Sequence, residues 1–377
     1  MPRPDEHMTS LEHILPLWHE LESAGAEYVL ATVVAVEGSN YRRPGARMLL
    51  AQDGRRAGTV SGGCLEAEVA RRAWWLTANG PVVERYSTID DDGDMPYGSG
   101  CGGAVFLLLE RRATAAPLLS ALESAFQMRA PLAIATVLAG PHISKRAFAP
   151  SADRNESELA RLARRALMQC ASFEQSIELN DKLARVFADY RAARPGLWIF
   201  GAGDDARPLL ALARELGWFV AVADGRSNLA TRERFTAADE VRVLSIGDWP
   251  NAEAQHFSPR ASDAAIVMTH SFEQDSRILA TLLAHETPLA YIGVLGPQRR
   301  TRELLLEAAR LLHLPPTDER VDRWLAHLYA PTGLDLGAET PPGIALSILA
   351  EIQKVLNEGT GRPLREVRAM KLAAAVF

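Results

Sequence analysis

Two cysteines in glycine-rich segments are the residues of this sequence best suited to chemistry. Cys64 follows Ser-Gly-Gly and precedes a helical pattern, and Cys101 lies within Gly-Ser-Gly-Cys-Gly-Gly. A cysteine at a helix N-terminus has a larger thiolate fraction, and flanking glycines let a bulky ligand approach the chain closely. Thiolates suit nucleophilic sulfur transfer or ligation of a soft metal. The alternative is that both cysteines are small buried hydrophobic residues and that the glycines only form turns.

A second group of residues has the spacing of a phosphate-binding turn. Gly201, Gly203 and Ala206 form a Gly-x-Gly-x-x-Ala motif that follows a predicted strand and opens a predicted helix. The first glycine permits a tight turn, the second lets a phosphate approach the backbone, and the alanine lets the helix pack closely on the strand. Asp224 ends the next strand, where a carboxylate would bind a ribose hydroxyl, and Arg226 could bind a 2′-phosphate instead. The alternative is a tight connection that holds no ligand.

Further candidates follow two later strands, because open parallel sheets bind ligands at the carboxyl ends of their strands. Thr269 and His270 end the fourth predicted strand, and Gly293 and Gly296 belong to the end of the fifth. His270 could bind phosphate or transfer protons, or it could be a hydrogen-bonded structural histidine. Arg299 and Arg300, just beyond, could meet anionic groups or form a solvated helix face.

Arginines also surround a rigid turn in the N-terminal part of the chain. Arg42, Arg43 and Arg47 flank Pro44-Gly45 and could form a cradle for an anion, although a solvated loop would look the same in sequence. The acidic run Asp90–Asp94 lacks the spacing of a calcium loop. We therefore expect no dedicated metal site.

The bulk properties are those of a globular protein of a reducing compartment. The 377 residues carry a formal net charge of −6, which gives no electrostatic footprint for nucleic acid. Three cysteines argue against a disulfide framework, and Cys170, in an apolar helical pattern, is expected to be an inert core residue. The N-terminus lacks the apolar region of a signal peptide, and no run of 18 apolar residues predicts a membrane span. We expect a cytoplasmic protein.

Hydrophobic patterns predict an α/β fold with two main parts. From about Gly196, strands alternate with helices, which predicts a Rossmann-like parallel sheet of five or more strands flanked by helices. A smaller α+β domain precedes it, and YVLATVVAV and PLAIATVLAG share one triplet that hints at a half-repeat. Residues 150–190 are predicted to be rich in helix. The predicted boundaries are an N-terminal domain at 1–112, a connecting region grouped with it at 113–194, the Rossmann-like domain at 195–330, and a helical tail packing on that domain at 331–377.

Several segments together resemble the XdhC/CoxI family, whose members are accessory factors of xanthine dehydrogenase and related molybdenum hydroxylases. The resemblance covers nearly the whole chain in order, and SGGCLEAEV together with GCGG is its most specific part. The segments are GSNYRRPGARMLL, GTVSGGCLEAEV, YGSGCGG, WIFGAGDDARPLL, ADGR, MTHSFEQD and YIGVLGPQRR.

The resemblance implies a maturation chaperone that is not a stand-alone enzyme. It implies binding of the molybdenum cofactor, support of its sulfuration, and insertion into a xanthine dehydrogenase-type molybdoenzyme, with a cysteine desulfurase as a second partner. By position, Cys64 matches the family's Gly-Gly-Cys and Cys101 its Gly-Cys-Gly-Gly. Molybdopterin carries a phosphate and a dithiolene, so arginines, a glycine turn and thiolates suit it. Which cysteine would contact molybdenum or carry sulfur stays open at this point.

Two other functions fit parts of the sequence. One is an NAD(P)-dependent oxidoreductase that uses the same Rossmann turn, although no hydride-transfer constellation of Tyr/Lys or His/Asp is evident. The other is a redox- or nucleotide-sensing module without catalysis. A homodimer would suit a protein that shelters a fragile cofactor, but no heptad repeat predicts one.

Overall fold

The chain folds into two compact units that divide between Arg194 and Pro195. The computed structural model describes residues 9–38, 42–63, 65–87, 103–150, 157–244, 259–285, 287–315 and 317–367. Across these ranges, no helix combines the length and the apolar character that a bilayer crossing requires.

The first unit begins with an antiparallel sheet of five strands, called sheet A. Its central strand β1 (Tyr28–Glu37) is buried over its first seven residues because helices cover both faces of the sheet. Helices α1 (Thr9–Ser23) and α3 (Arg112–Gln127) lie on one face, and α2 (Glu66–Leu76) lies on the other. The remaining strands are β2 (Arg47–Ala51), β3 (Arg56–Gly58), β4 (Val82–Ser87) and β5 (Ala104–Arg111), in the order β3-β2-β1-β5-β4.

The prediction of a helix-rich segment at residues 150–190 is wrong for its second half. Helix α4 (Glu158–Gln169) ends at Cys170, which adopts a left-handed conformation (φ 50°) and is exposed, not a core residue as expected. In the segment after Cys170, every second side chain faces α4, as in a β-strand. The burial of this face outweighs the helix propensity of the intervening Glu and Gln. The result is sheet B, whose strands β6 (Leu132–Ala139), β7 (Arg146–Ala149), β8 (Phe173–Leu179) and β9 (Lys182–Arg191) follow the order β7-β6-β9-β8.

Sheets A and B repeat one topology. In both, two strands, a helix and two strands form a sheet whose first and last strands are the central pair, and sheet A has the additional strand β3 at its edge, before the helix. The shared Ala-Thr-Val triplet occupies the same register in both, because Thr32 pairs with Arg47 and Thr136 pairs with Arg146. Each copy also has a β-bulge just after the triplet, between Val33 and Ala35 in β1 and between Val137 and Ala139 in β6. The half-repeat suggested by one triplet is therefore present in the fold.

Two ion pairs cross between the repeats in a matched fashion. Arg47 of the first copy donates to Asp189 of the second at 3.0 Å, and Arg146 of the second donates to Glu110 of the first at 2.7 and 2.8 Å. Arg191 also donates to both carboxylate oxygens of Asp189. The side chains of the Arg47–Asp189 pair are each only 4% exposed. Buried pairs of this kind are retained only when hydrogen bonds replace the lost hydration, and here they fix how the two sheets meet.

We predict that Asp189→Asn destabilises the protein by about 3–5 kcal/mol, because it leaves the buried guanidiniums of Arg47 and Arg191 without a counter-charge. Urea denaturation of the full chain measures the effect. The matched control is Asp53→Asn, which removes the exposed partner of Arg55 and should leave the denaturation midpoint unchanged. Equal midpoints for both variants would contradict this role of Asp189.

The second unit contains a parallel sheet, sheet C, with helices on both faces. The strand order is β12-β11-β10-β13-β14. From β10 the chain adds β11 and β12 on one side and then β13 and β14 on the other. The loops after β10 and β13 therefore diverge and leave a crevice between them. Separate hydrophobic clusters on the two faces confirm the predicted Rossmann-like architecture. The strands are β10 (Gly196–Phe200), β11 (Phe219–Asp224), β12 (Glu240–Val243), β13 (Ala264–Val267) and β14 (Tyr291–Val294), and the helices are α5 (Ala206–Glu215), α6 (Phe272–Ala284), α7 (Gln298–Leu311), α8 (Glu319–His327) and α9 (Pro341–Leu356).

Candidate functional site

The glycine turn lies at the carboxyl edge of sheet C, between β10 and α5. Gly201 has φ 131°, and a Cβ there would lie 2.5 Å from the backbone oxygen of Met268, so only glycine fits. A Cβ on Gly203 would meet nothing within 4 Å, which shows open space above the turn. Ala206 is buried at the first residue of α5, where a larger side chain would push the helix off the sheet.

Asp224 faces into the glycine turn, which does not match the ribose-binding role expected for it. Its carboxylate accepts hydrogen bonds from the Ala202 N–H at 2.7 Å, from the Arg226 N–H at 2.9 Å, and from the Arg226 guanidinium at 3.0 and 2.7 Å. The side chain is fully buried. Burial by itself would raise the Asp224 pKa, but the hydrogen bonds from Arg226 and Ala202 outweigh burial and lower it. Asp224 therefore joins the end of β11 to the turn after β10.

A second buried carboxylate organises the end of β13. Asp275 accepts hydrogen bonds from the Thr269 N–H at 3.1 Å and hydroxyl at 2.6 Å, and from Arg300 at 2.6 Å. Thr269 is buried in this network, whereas His270 is exposed and adopts a left-handed backbone conformation (φ 66°). Ser271 then caps α6 by accepting from the Gln274 N–H. Of the predicted residues at this strand end, His270 is the one whose side chain is open to solvent.

Two further contacts at the carboxyl edge of sheet C have no signal in the amino-acid sequence. Arg234, from the loop after β11, donates to Asp204 at 3.0 Å and to the Ala202 carbonyl at 3.5 Å, so a guanidinium lies on the glycine turn. The Gly225 N–H donates to the Gln274 side chain at 3.4 Å and connects β11 to α6. Arg234 is 33 residues after Gly201 by sequence number, and no motif marks it.

The two glycines of β14 and its following turn have different roles. Gly293 is buried within the strand, and a Cβ there would lie 2.5 Å from the Thr332 hydroxyl and 2.7 Å from Ile266. The absence of room for a Cβ explains this glycine by packing, and its role in ligand binding stays a prediction. Gly296 (φ 121°) forms the turn before α7, where a Cβ would lie 3.6 Å from the Arg300 side chain. Arg299 is exposed and pairs with Glu303 along α7.

We predict that two alanine substitutions in the glycine turn differ in their effect on stability. Gly201→Ala should destabilise the second unit by at least about 1–3 kcal/mol, because alanine is strained at φ 131° and collides with Met268. Gly203→Ala should leave stability unchanged, because its Cβ enters open space. Thermal denaturation of both variants provides the measurement, and a destabilised Gly203→Ala variant would show that the space is not open.

The strands that flank the predicted N-terminal motifs end or begin at one edge of sheet A. Strand β1 ends there, β2 begins there, β3 and β4 end there, and β5 begins there, since each neighbouring pair is antiparallel. Glu37 and Ser87 both lie opposite Ala104 in the register. Cys64 and Cys101 lie outside the described residues, so the structure gives no position for either thiol. Across the described parts of the chain, no group of three or more His, Cys, Asp or Glu side chains is arranged to hold a metal ion.

The segment before Cys64 is held by a buried carboxylate that no sequence motif marked. Glu66 accepts hydrogen bonds from the Thr59 hydroxyl at 2.5 Å, the Ser61 hydroxyl at 2.5 Å, and the N–H groups of Val60 and Ser61 at 3.2 and 2.9 Å. The Ser61 hydroxyl in turn accepts from the N–H groups of Gly63 and Leu65. Burial opposes ionisation, but the hydrogen bonds from Ser61 and Thr59 outweigh it and lower the Glu66 pKa to about 2.

The predicted arginine cradle is not formed as a set of three. Arg42 and Arg43 are exposed beside Pro44. Arg47 is buried in its ion pair with Asp189 and also donates to the Gly45 carbonyl, so its guanidinium binds protein groups, and an anion-binding role stays a prediction. A Cβ on Gly45 would overlap the Arg191 guanidinium at 1.2 Å, which explains the glycine by packing.

We predict that the segment before Cys64 loosens at low pH. The Glu66 pKa lies below the ordinary value of 4.5, so its hydrogen bonds stabilise the loop fully above pH 4.5 and are lost as the pH falls through about 2. Protection of the Val60 and Ser61 amides against hydrogen exchange, corrected for intrinsic rates, should fall over this range. At pH 7, Glu66→Gln should lower that protection by about tenfold or more. Glu68→Gln, which affects the pairs with Arg71 and Arg72 along α2 and none of the contacts of Val60 or Ser61, is the control; equal effects of both variants would contradict the prediction.

The chain matches two family models. The model described as the XdhC Rossmann domain matches residues 197–352, and the model described as the XdhC and CoxI family matches residues 21–87.

Individual relatives extend these matches. A protein of Bacillus subtilis (strain 168) named as a probable xanthine dehydrogenase component is 31% identical over 338 residues, which cover 86% of this chain and 92% of that protein. The molybdenum cofactor insertion chaperone PaoD of Escherichia coli (strain K12) is 34% identical over 128 residues, which cover 32% of this chain and 36% of that protein. The crystal structure of a xanthine dehydrogenase from Bacillus halodurans superimposes with a TM-score of 0.70 at 30% identity, and the match covers 91% of this chain and 96% of that chain.

Proposed function

The chain belongs to the XdhC and CoxI family, and on that premise we propose that it is an accessory chaperone that binds the molybdenum cofactor for a xanthine dehydrogenase-type molybdoenzyme. The proposal includes support of cofactor sulfuration, insertion of the cofactor into the apo-enzyme, and a cysteine desulfurase as a further partner. A cytoplasmic homodimer is part of the same proposal. Similarity to a relative named as a molybdenum cofactor insertion chaperone supports it.

The observation that supports the proposal is that the strands next to several motif-bearing loops end or begin at one edge of sheet A. The loop after β1 contains Arg42 and Arg43, the loop after β3 contains Cys64, and the loop after β4 contains Cys101. The strand ends next to these loops lie at the same edge of the sheet, and we propose that one ligand binds there to cations and thiols from separate parts of the sequence. We propose Cys64 and Cys101 as the residues that contact molybdenum or carry sulfur.

The oxidoreductase alternative is disfavoured by Asp224. In that alternative its carboxylate would bind a ribose diol, yet both carboxylate oxygens already accept hydrogen bonds from Ala202 and Arg226. His270 stays a candidate for proton transfer or phosphate binding because its side chain is exposed at the crevice.

We predict stoichiometric binding of the molybdenum cofactor to the purified protein, weakened at least about tenfold by Cys64→Ala or Cys101→Ala, since each thiolate would supply a strong ligand bond. Cofactor retention after gel filtration, read by metal analysis, is the measurement. Cys170→Ala is the matched control because Cys170 is an exposed thiol at the end of α4. Failure of the cofactor to bind while NAD(P)H binds tightly would replace the chaperone proposal with the oxidoreductase one.

A further inference from the structure

We propose that a small polar cavity between sheets A and B binds one water molecule, which joins the two copies of the repeat by hydrogen bonds. The site lies wholly within the first unit. It does not rest on the proposed function.

The cavity lies where the two copies of the repeat meet. Its polar wall is formed by three pairs of residues that correspond between the copies: Thr32 and Thr136, Arg47 and Arg146, and Glu110 and Asp189. In the register, Glu110 lies opposite Leu30, which is two residues before Thr32. Asp189 lies opposite Ile134, which is two residues before Thr136. The rest of the wall is apolar, so a ligand here would bind polar groups of both copies.

The size of the cavity limits the ligand to a single small molecule. The cavity offers about 10 Å³ to the centre of a water-sized sphere. This is close to the least space that holds one water molecule in a protein interior. An organic ligand or a phosphate needs several times more space, which excludes both.

Two polar groups of the wall have hydrogen-bonding capacity that the described residues do not use. Thr32 is 5% exposed, and its hydroxyl has no hydrogen-bond partner among these residues. The Arg146 side chain is 7% exposed, and its two terminal nitrogens donate to Glu110 and to the Thr114 carbonyl. Its Nε, however, has no partner in the described part of the chain. Buried donors of this kind are rarely left without a partner, and buried water commonly supplies the missing hydrogen bonds.

The charges of the wall select a neutral ligand. Arg47 lies 3.0 Å from Asp189, and Arg146 lies 2.7 Å from Glu110, so each guanidinium faces a carboxylate of the other copy. An anion in the cavity would lie beside two carboxylates, and a cation would lie beside two guanidiniums. Water avoids both repulsions, because it can accept from the Thr32 hydroxyl and from Nε of Arg146 and still donate to a carboxylate.

Crystallography of the full chain, at a resolution that shows ordered water, tests the site directly. We expect one density peak in the cavity, at about 2.7–3.2 Å from the Thr32 hydroxyl and from Nε of Arg146. An empty cavity, or a protein side chain that fills it, would overturn the proposal. Crystals grown in bromide distinguish an anion from water, since an anomalous peak of bromide in the cavity would overturn the assignment to water.

Thermal denaturation of Thr32→Val provides a second test, in which a hydrated and a dry cavity have opposite effects. If the hydroxyl binds water, the valine loses that hydrogen bond and the midpoint should fall by about 2–4 °C. In a dry cavity the valine removes a buried hydroxyl without a partner, and the midpoint should rise. A midpoint that stays the same or rises would overturn the proposal.

Two further variants make this test specific to the water. Thr32→Ser keeps the hydroxyl, so its crystal structure should keep the density peak. Thr281→Val is the matched control for the loss of a buried threonine hydroxyl, because that hydroxyl donates to the Arg277 carbonyl within α6. Its midpoint should change less than that of Thr32→Val. Equal losses in the two valine variants, or a missing peak in Thr32→Ser, would contradict a water molecule bound to Thr32.

Discussion

A carboxylate that leaves water for a protein interior loses several kcal/mol of hydration, which donors must replace. Four buried carboxylates of this protein, Glu66, Asp189, Asp224 and Asp275, are each matched by three or more donors. In every case at least one donor comes from a segment other than that of the carboxylate, so satisfying the charge also fixes the two segments against each other. The loop before Cys64, the meeting of sheets A and B, and the crevice of sheet C all depend on this constraint.

The two copies of the repeat in the first unit differ in their connecting segments. In the first copy, the connections after β3 and β4 contain the two glycine-flanked cysteines. In the second copy, β8 and β9 are joined by the tight Asn180-Asp181 turn, and Ser157 caps α4 where the first copy has its Gly-Gly-Cys. Both copies keep the residues that pair across the interface. The physical need to bury Arg47 and Arg146 with carboxylates holds equally for both, whereas the two glycine-flanked cysteines occur only in the first copy.

The second unit shows why a fold motif does not by itself define a ligand. The Gly-x-Gly-x-x-Ala turn, the parallel sheet and the carboxylate after β11 are all present where a dinucleotide-binding domain has them. The orientation of one side chain separates this crevice from such a domain, because Asp224 points at the turn and holds Arg226. The ligand of this unit therefore depends on the side chains of the crevice and not on the topology of the sheet.

Elements whose residues carry a local signal could be predicted from the amino-acid sequence alone. Alternating strands and helices after Gly196 predicted sheet C, and the turn at Gly201 was placed correctly. The family was recognisable because its glycines and cysteines occur in short contiguous motifs. Long-range packing, by contrast, determines that residues 173–191 are strands, that Arg47 is buried, that Gly293 is a packing residue, and that Arg234 reaches the glycine turn. These outcomes depend on partners tens to more than a hundred residues away, such as Asp189 for Arg47. A local pattern reports helix, strand and turn preferences, but it contains no information about which distant charge a side chain will meet.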